Sequence, residues 1–466
     1  MRISRTYGTL GTLMLLLAVP CLMGAAPRDS LALEAEDIRS TEDPVGQVTG
    51  SVTVGVLGED AFLGVGLSGS IIGEKWRASL HVPLRMRVSD REPKHAAVLR
   101  AEDWDELSDF ARVLPLLQYG HAGEPVFVRF GELKGLSIGH GTIVYRYNNN
   151  ARLNHYRGGL YGRGDWTTIG IEAAVDDVLM PSLAVLRTFS RPMAQMTSLP
   201  SGLRDLRLGL TAGADFRAPT DVQIAQVAEP SGGHYVARAR ESDALLFLGA
   251  DVEMPLWNTE SLQLTSYLDL NSQDFRTVGF HAGLRTEFRF TPFSRLTTRL
   301  EYHLAGEGYV DRYISSFYEV ERWSNRQGRP KLAWFREDAS ELLGSSRHGF
   351  TVETEYILSG WFNMMVSFGD AEGPGNSHLL VHTQLPEIKG FRCGLSYANL
   401  GFDESSGLVD ATHTVFGLSA QYRIGNYIYV KAQAGNEWWL NQEVGEKKEY
   451  ETTFNFDLGI GAIVAL

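Results

Sequence analysis

Cysteine is nearly absent from this sequence of 466 residues. Its two cysteines, Cys21 and Cys393, are too few for a disulfide framework or a cysteine-rich zinc site. Acidic residues outnumber basic ones, and the net charge of −13 argues against a general nucleic-acid binder. A mean hydropathy of −0.14 excludes a helical membrane protein, and 49 glycines with 17 prolines exclude a collagen-like chain.

A long apolar run is also lacking after the first segment of the chain. Arg2 and Arg5 precede the apolar residues 10–19, and a small-residue stretch ends at Ala26. This order predicts a secretory signal peptide over residues 1–26 and therefore an exported protein. Residues 27–46 are polar and acidic, and we expect them to be a lead-in to the folded domain at 47–466.

The rest of the chain shows an alternation of apolar and polar residues. From Trp76 to Val88 the even positions are apolar, and arginines stand at several of the odd ones. Because successive strand residues face opposite sides, this pattern predicts a strand with one apolar and one basic face. It recurs at Leu206–Phe216, Ala244–Leu256, Leu262–Leu270, Val278–Phe290, Leu296–Leu304, Phe416–Ile424 and from Phe454 to the C-terminus. The sequence therefore predicts an all-β protein.

The length of these segments favours one all-β architecture. They exceed the roughly 5–6 residues of ordinary soluble strands and reach the roughly 9–11 that cross a bilayer. The polar face carries full charges, as the lumen of a membrane barrel does, and an open edge is not tolerated in hydrocarbon. We therefore expect a transmembrane antiparallel up-and-down β-barrel of about 20 strands, with 16 and 18 as alternatives.

The connections between the strands fall into a short set and a long set. Glu132–Leu136 is one of the predicted short periplasmic turns, and 89–124, 217–242 and 305–348 are the predicted long external loops. Four tryptophans fall beside turns of the short set, which predicts an aromatic belt at one membrane interface. They are Trp76, Trp166, Trp257 and Trp361.

With these features the chain resembles the Gram-negative outer-membrane β-barrel proteins, the porins and related channels. The resemblance is one of architecture over residues 47–466 rather than of a diagnostic motif. Its specific part is the final strand, where Gly461, Val464 and Leu466 match the spacing of the terminal strand signal. The last residue is leucine where such proteins typically have phenylalanine or tryptophan. The resemblance implies an outer-membrane location, contact with lipid and insertion by the barrel-insertion machinery; homo-oligomerisation stays open.

Three local patterns suggest other chemistry but lack the required context. The glycines of residues 64–69 match a dinucleotide fingerprint, but no helix is expected after them. Residues 135–139 match a nucleophile elbow, yet Thr142–Tyr145 is predicted to continue as strand. Five histidines lack metal-ligand spacing: His81, His140, His281, His303 and His382. We therefore expect no cofactor, no metal ion and no catalytic residue.

The predicted lumen is strongly charged. Its arginines form either a structural network with nearby carboxylates or a pore wall that steers anions. Those assigned to the pore are Arg77, Arg85, Arg87, Arg285, Arg289, Arg295 and Arg299. In the loop 89–124 a short acidic helix is expected, as an external lid or as a constriction opposite the arginines. Its acidic residues are Glu102, Asp103, Asp105, Glu106 and Asp109.

The leading functional hypothesis is an outer-membrane channel that passes small polar or anionic solutes, or a charged polymer, by passive diffusion. No enzymatic step is expected. One alternative is a structural or secretion-accessory barrel with a plugged lumen. A second alternative is a barrel enzyme, such as a lipase or a protease with its site at the outer rim.

Overall fold

The fold was analysed in a computed structural model of the chain. The structure describes residues 45–465 except for 58–59, 90–97, 122, 153–154, 230–231, 324–329, 333–345, 359–361, 374–375, 403–406, 409–413 and 445–446. The predicted signal peptide and nearly all of the lead-in lie outside the described residues. The first strand begins at Val45, so the predicted domain start at residue 47 falls inside it.

Twenty strands make up the described chain. They are β1 (Val45–Leu57), β2 (Asp60–Ile72), β3 (Trp76–Ser89), β4 (Leu116–Tyr119), β5 (Val126–Gly131), β6 (Gly159–Asp165), β7 (Ile169–Val175), β8 (Leu183–Ser190), β9 (Arg207–Glu229), β10 (Gly232–Asn258), β11 (Leu262–Gln273), β12 (Thr277–Thr291), β13 (Ser294–Ala305), β14 (Arg347–Leu358), β15 (Phe362–Ala371), β16 (Ser377–Gln384), β17 (Phe391–Phe402), β18 (Thr414–Ile424), β19 (Ile428–Val444) and β20 (Lys447–Ala465).

Each strand pairs antiparallel with the next strand in the sequence. Strand β1 also pairs with β20, from Gln47 opposite Ala465 to Leu57 opposite Asn455, so the sheet closes on itself. The predicted all-β, up-and-down barrel of 20 strands is confirmed.

Helical structure is sparse among the described residues. Two 3₁₀-helices, Ala101–Asp103 and Leu107–Val113, lie in the predicted acidic loop. Two single-turn α-helices follow, α1 (Ser201–Arg204) and α2 (Tyr318–Glu321). In the described part of the chain no helix is both long and apolar enough to cross a membrane.

The two faces of the barrel wall differ as the alternation predicts. Large apolar side chains on the outer face are exposed, for example Leu67 at 58%, Leu210 at 64% and Leu300 at 54%. Their neighbours on the lumen face, such as Asp251, Arg299 and Glu301, are buried. A continuous exposed apolar surface is unfavourable in water and favourable in lipid, so this outer band is the membrane contact.

The two ends of the barrel differ in the length of their connections. At the short-turn end, residues 73–75, 166–168, 259–261, 292–293 and 425–427 join neighbouring strands. Trp76, Trp166 and Trp257 lie at this same end, each at least half exposed. Trp361 lies outside the described residues. The contact of the three tryptophans with a membrane interface stays a prediction.

The predicted turn at Glu132–Leu136 is wrong. The segment predicted as the loop 89–124 contains β4, so the chain reaches the short-turn end one strand earlier than expected. Residues 132–158 then lie at the opposite end, between β5 and β6, and Thr142–Tyr145 is not a strand of the wall. The gain of β4 and the loss of that expected strand cancel, which is why the strand count was still right.

The prediction of an external loop over residues 217–242 is also wrong. Strand β9 continues to Glu229 and strand β10 begins at Gly232. The pairing between them is interrupted near Ala239 and Asp243. Alternation is imposed by lipid on one face and lumen on the other, so a hairpin that extends past the membrane has no such pattern. The predicted loop 305–348 corresponds to the connection 306–346 between β13 and β14.

Orientation in the membrane is testable by cysteine labelling. In a Cys393→Ala background, Phe275→Cys lies in a turn at the long-connection end, where Phe275 is 72% exposed. Asn426→Cys lies in an exposed turn at the other end. We expect an impermeant maleimide to label Phe275→Cys on intact cells and Asn426→Cys only after the outer membrane is permeabilised. The reverse pattern would overturn the orientation.

Candidate functional site: a divided barrel lumen

Two connections fold into the lumen and form what we call the inner plug, the described residues of 132–158 together with 306–323. They meet in a parallel bridge between Val144 and Ile314, where the Tyr145 amide donates to the Ile314 carbonyl over 2.9 Å. Around this bridge lies an apolar core of fully or nearly fully buried side chains that includes Ile143, Tyr147, Tyr313 and Tyr318. This core is shared between the plug and the wall, because it also contains Leu183 and Val185 of β8 and Leu245 and Phe247 of β10.

One group of contacts joins the plug to β13, β14 and β15. The Arg146 guanidinium pairs with Glu353 of β14, with 3.0 Å between Nη2 and Oε1. The Tyr145 hydroxyl donates to the same carboxylate and lies 2.6 Å from Ser367 Oγ of β15. Arg299 of β13 donates through Nη1 to the His140 carbonyl over 2.5 Å. In this group the plug cation thus pairs with a lumen carboxylate of opposite charge.

A second group joins the plug to β9. Arg322 donates through Nη2 to Asp215 Oδ1 over 3.0 Å, and the Tyr318 hydroxyl donates to the other oxygen of Asp215. Glu319 accepts from the Tyr147 hydroxyl over 2.6 Å and pairs with Arg157 over 2.6 Å, within the plug. Burial disfavours the charged Glu319 carboxylate, but Arg157 and Arg322 outweigh burial and lower its pKa. The carboxylate stays ionised and holds the plug segments together.

A third group joins the plug to β7, β10 and β11. The Gly139 amide donates to Glu172 Oε2 over 2.9 Å, and the Thr142 hydroxyl donates to Asp269 Oδ2 over 2.5 Å. The His140 ring stacks on Tyr267 with 4.2 Å between ring centroids. The plug is therefore attached along the wall from β7 to β15.

The opposite wall, from β16 through β20 and β1 to β3, has a different lining. Small polar residues and glycines face one another across it, as in the register pairs Thr53 with Gly64, Ser51 with Gly66 and Ser51 with Gly461. An open cleft with a cavity volume of about 150 Å³ lies between this wall and the plug. We call it the open cleft. Its lining includes Arg85, Asn148, Gln433, Glu437, Asn455 and Asp457.

The acidic loop residues meet the arginines of β3. Asp103 is fully buried, and its Oδ1 lies 2.9 Å from Arg85, 2.5 Å from Arg100 and 3.0 Å from Arg112. Burial opposes ionisation of Asp103, but the three arginines outweigh burial and lower the pKa of its carboxyl. Glu102 pairs with Arg87 over 3.0 Å. The loop is therefore fixed against the lumen face of β3, and the lid alternative is not supported.

The other three predicted loop acids have separate surroundings. Glu106 pairs with His155 over 3.2 Å, and that hydrogen bond outweighs burial, which acts in the opposite direction, and lowers the Glu106 pKa. Asp109 accepts from the Tyr156 amide over 2.9 Å and so joins the 3₁₀-helix to the plug. Asp105 is exposed on the surface; partial burial and the neighbouring Asp109 raise its pKa to about 6.

The seven predicted pore arginines do not form one continuous filter. Arg85 lies at the open cleft but pairs with Asp103, and Arg87 pairs with Asp60 and Glu102. Arg299 lies under the plug, and Arg289 pairs with Glu287 over 2.7 Å. Of the remaining three, Arg77 is buried in the wall, Arg295 is half-buried and Arg285 is exposed. Most of the arginine charge near the lumen is therefore matched by carboxylates.

Sequence reasoning missed the plug and with it most of the residues that divide the lumen. Its anchors lie in connections, where no strand alternation marks them. A weak signal did exist, because residues 132–158 contain arginines and tyrosines at irregular spacing together with the asparagine run 148–150. Asn149 is buried and donates through Nδ2 to the carbonyls of Gly131, Arg157 and Asp176. An asparagine run of this kind is typical of a folded loop that satisfies backbone groups.

Comparisons with known proteins show similarity in fold only. No protein-family model and no curated protein sequence matches the chain. Among solved structures, Pseudomonas aeruginosa OccK1 (OpdK) is 11% identical, with 91% of this chain and 99% of that chain covered and a TM-score of 0.32. The outer membrane protein OprD from the same organism is 10% identical, with 96% and 98% covered and a TM-score of 0.33. Acinetobacter baumannii OccAB2 is 9% identical, with 93% and 100% covered and a TM-score of 0.30.

These similarities are too low to carry an argument about function, so the class of the protein rests on its own architecture. A closed antiparallel barrel with an apolar outer band, short turns at one end and a polar lumen is the architecture of outer-membrane proteins. The chain is a porin-like β-barrel of the Gram-negative outer membrane.

Stability depends on the buried Asp103 cluster. We expect Asp103→Asn to lower the free energy of unfolding by about 3–5 kcal/mol, because the buried Arg100 and Arg112 and the half-buried Arg85 would lose their shared counter-charge. Since the pKa is lower in the folded protein, this contribution is present above the pKa of the unfolded carboxyl and is lost as the pH falls through the folded pKa. Urea unfolding in detergent at several pH values measures both effects.

Asp105→Asn is the matched control, because it removes the same charge two residues away at an exposed site. We expect it to lower the unfolding free energy by no more than about 0.5 kcal/mol. Equal stabilities for Asp103→Asn and Asp105→Asn would show that the arginine cluster does not stabilise the fold.

Proposed function

We propose that this barrel is a passive channel for small polar solutes and that the solutes cross along the open cleft. The observation that carries the proposal is the division of the lumen: the plug is attached to β7–β15 and packs Tyr145 and Phe317 against β16 and β17, and small polar residues line much of the remaining wall to β3. Small side chains leave space for water, and hydroxyl and amide groups replace part of a solute's hydration shell. Such a path needs no chemical step, only a concentration gradient.

The plug bears on the size of the solute. Its buried side chains cover about half of the circumference of the wall. The space that remains is a cleft and not the full lumen of a barrel with this number of strands. This geometry favours small solutes over the charged polymer that the sequence left open. It also supports the proposal that the protein is not an enzyme, since Ser137 of the nucleophile-like motif lies in the plug and accepts from the Arg146 amide.

Charges at the cleft are mixed rather than uniformly basic. Among its lining residues Arg85 and Lys134 are cationic, whereas Glu132, Glu437 and Asp457 are anionic. Lys134 pairs with Glu132 over 2.7 Å, which reduces the net field of both. We therefore propose weak charge selectivity for polar solutes, and the anion preference expected from the arginines is not retained.

The alternative of a structural or secretion-accessory barrel has support of its own, because the described lumen contains a well-packed plug. The two proposals differ in ion conduction. Folded protein reconstituted in planar bilayers is expected to give discrete single-channel currents if the cleft is continuous. Bilayers that stay at background current with correctly folded protein would favour the structural role. Lipid and the barrel-insertion machinery remain the expected partners in either case.

A tryptophan placed in the cleft should reduce the conductance. Asn455 lines the open cleft on β20, and its neighbour Phe454 is 49% exposed on the lipid face. We expect Asn455→Trp to lower single-channel conductance roughly twofold or more, because a large ring narrows the path. Phe454→Trp carries the same new side chain on the outer face and should leave conductance unchanged. If both variants conduct like the wild type, solutes do not cross along this cleft.

The cleft carboxylates should contribute to charge selectivity. Removal of the Asp457 charge by Asp457→Asn is expected to shift the reversal potential in a salt gradient toward anions, and less so at high salt, since screening shortens the reach of each charge to about 8–10 Å or less. Glu260→Gln removes a charge from an exposed turn at the short-turn end and should leave selectivity unchanged. Equal reversal potentials for wild type and Asp457→Asn would place the ion path elsewhere.

A further inference from the structure

A cluster of buried metal-ligating side chains lies between the barrel wall and the plug. His281 of β12 and His303 of β13 are register partners, and Glu301 is on the same lumen face of β13. Their candidate ligand atoms all lie within 4.8 Å of one another. His281 is 0% exposed, Glu301 is 3% exposed and His303 is 4% exposed. We propose that this cluster, completed by Asp311 of the plug, binds a divalent transition-metal ion such as Zn²⁺.

Asp311 supplies a second carboxylate from the other side of the cluster. Its Oδ1 lies 3.7 Å from His281 Nε2, and its Oδ2 lies 3.9 Å from His303 Nε2. Two imidazoles with one or two carboxylates is a ligand set that Zn²⁺ and neighbouring divalent metals prefer. Ligands about 2.0–2.2 Å from a tetrahedral ion are roughly 3.3 Å apart. The 3.4 Å between His281 Nδ1 and Glu301 Oε1 matches that separation. Asp311 faces the other nitrogen of His281, so a single ion has either Glu301 or Asp311 beside His281.

Unsatisfied polar atoms provide a second and independent observation. Within the described part of the chain, the buried His303 Nδ1 and Asp311 Oδ1 have no hydrogen-bond partner. Burial of a polar group without a partner is unfavourable. His303 is 96% buried, so bulk water does not offset that cost. An ion held by these residues would give the cluster the partner that its hydrogen bonds do not provide.

Neighbouring residues already orient the Glu301 carboxylate. The Tyr267 hydroxyl donates to Oε2 over 2.5 Å, and Arg312 donates through Nη2 to Oε1 over 2.5 Å. Hydrogen bonds of this kind commonly fix metal-ligating carboxylates. Arg312 also opposes a cation by its own charge, and a metal-free ion-pair network is therefore the competing arrangement. However, Arg312 contacts the carboxylates and not the imidazoles. Glu301 and Tyr309 lie within hydrogen-bond distance of the two ring nitrogens of His281, whereas His303 Nδ1 has no partner among the described residues.

The position of Asp311 gives the ion a structural consequence. His281, Glu301 and His303 belong to the wall, whereas Asp311 belongs to the plug segment 306–323. An ion on the Asp311 side of His281, bound by His281, His303 and Asp311, would link the plug to β12 and β13. The sequence spacing did not indicate this site because the two histidines are 22 positions apart and meet only through the register of two strands.

Metal binding to the full-length folded barrel tests the proposal. Protein purified in detergent without a histidine tag is stripped with a chelator and titrated with Co²⁺ and then Zn²⁺. We expect one Co²⁺ for each barrel, with visible d–d absorption bands from nitrogen and oxygen ligands, and displacement by Zn²⁺. We also expect Zn²⁺ to raise the Tm, because a ligand that binds only the folded state stabilises it. The absence of stoichiometric binding to the wild type would overturn the proposal.

Histidine variants then locate the ion. We expect His303→Ala to weaken Zn²⁺ binding at least about tenfold. His382→Ala is the matched control, since His382 is also a buried histidine on the lumen face, on β16. Heat-modifiable electrophoretic mobility establishes that each variant is folded, and Asp311→Asn provides a further variant outside the strands. Equal affinity in wild type and His303→Ala, or equal loss in His303→Ala and His382→Ala, would show that the ion binds elsewhere.

Discussion

The pairing of backbone groups in hydrocarbon is the constraint on which the rest of this structure depends. An N–H or C=O group inside a bilayer has no water to bind, so a sheet crosses it only if no edge is left free. Strand β1 meets this requirement by pairing along its whole length with β2 and along nearly all of it with β20. Closure then directs every second side chain outward into lipid. The exposed leucines and valines of the outer band follow from that geometry and not from any local preference.

Inside the barrel a different balance sets the structure. A buried charge is unfavourable unless an opposite charge and further hydrogen bonds surround it. The plug meets this condition by placing Arg146 against Glu353, Arg322 against Asp215 and Arg312 against Glu301. In each pair the arginine belongs to the plug and the carboxylate to the wall. Charge matching therefore fixes where the plug sits, while the apolar contacts of Val144 and Ile314 hold its two segments together. A single missing partner would leave a buried charge, so the arrangement is specific as well as stable.

How much of the fold could be predicted from the sequence depends on whether a residue faces lipid, the lumen or neither. Lipid imposes a period of two, and the strands that cross it, such as β3, β12 and β13, could be predicted almost to the residue. The four-residue strand β4 is too short to show that period, and the β9–β10 extension lies beyond the lipid that imposes it. The plug faces neither lipid nor bulk water on most sides, so no periodic pattern marked residues 132–158. Contacts such as that between His281 and His303 arise from strand register, which the alternation leaves undetermined.

The charged lumen shows why a row of arginines in a sequence is weak evidence for an anion pathway. An arginine beside a carboxylate contributes a dipole, and its field decays faster with distance than the field of a single charge. Arg85, Arg87 and Arg299 each have such a carboxylate within 4.0 Å, so little of their charge reaches the open cleft. The side of the lumen with the most charged residues is the side that the plug fills. A solute therefore meets chiefly the sparsely charged wall, where hydroxyl and amide groups outnumber full charges and each remaining carboxylate has more influence. The selectivity of the barrel is therefore set by the part of the lumen wall that the plug does not cover.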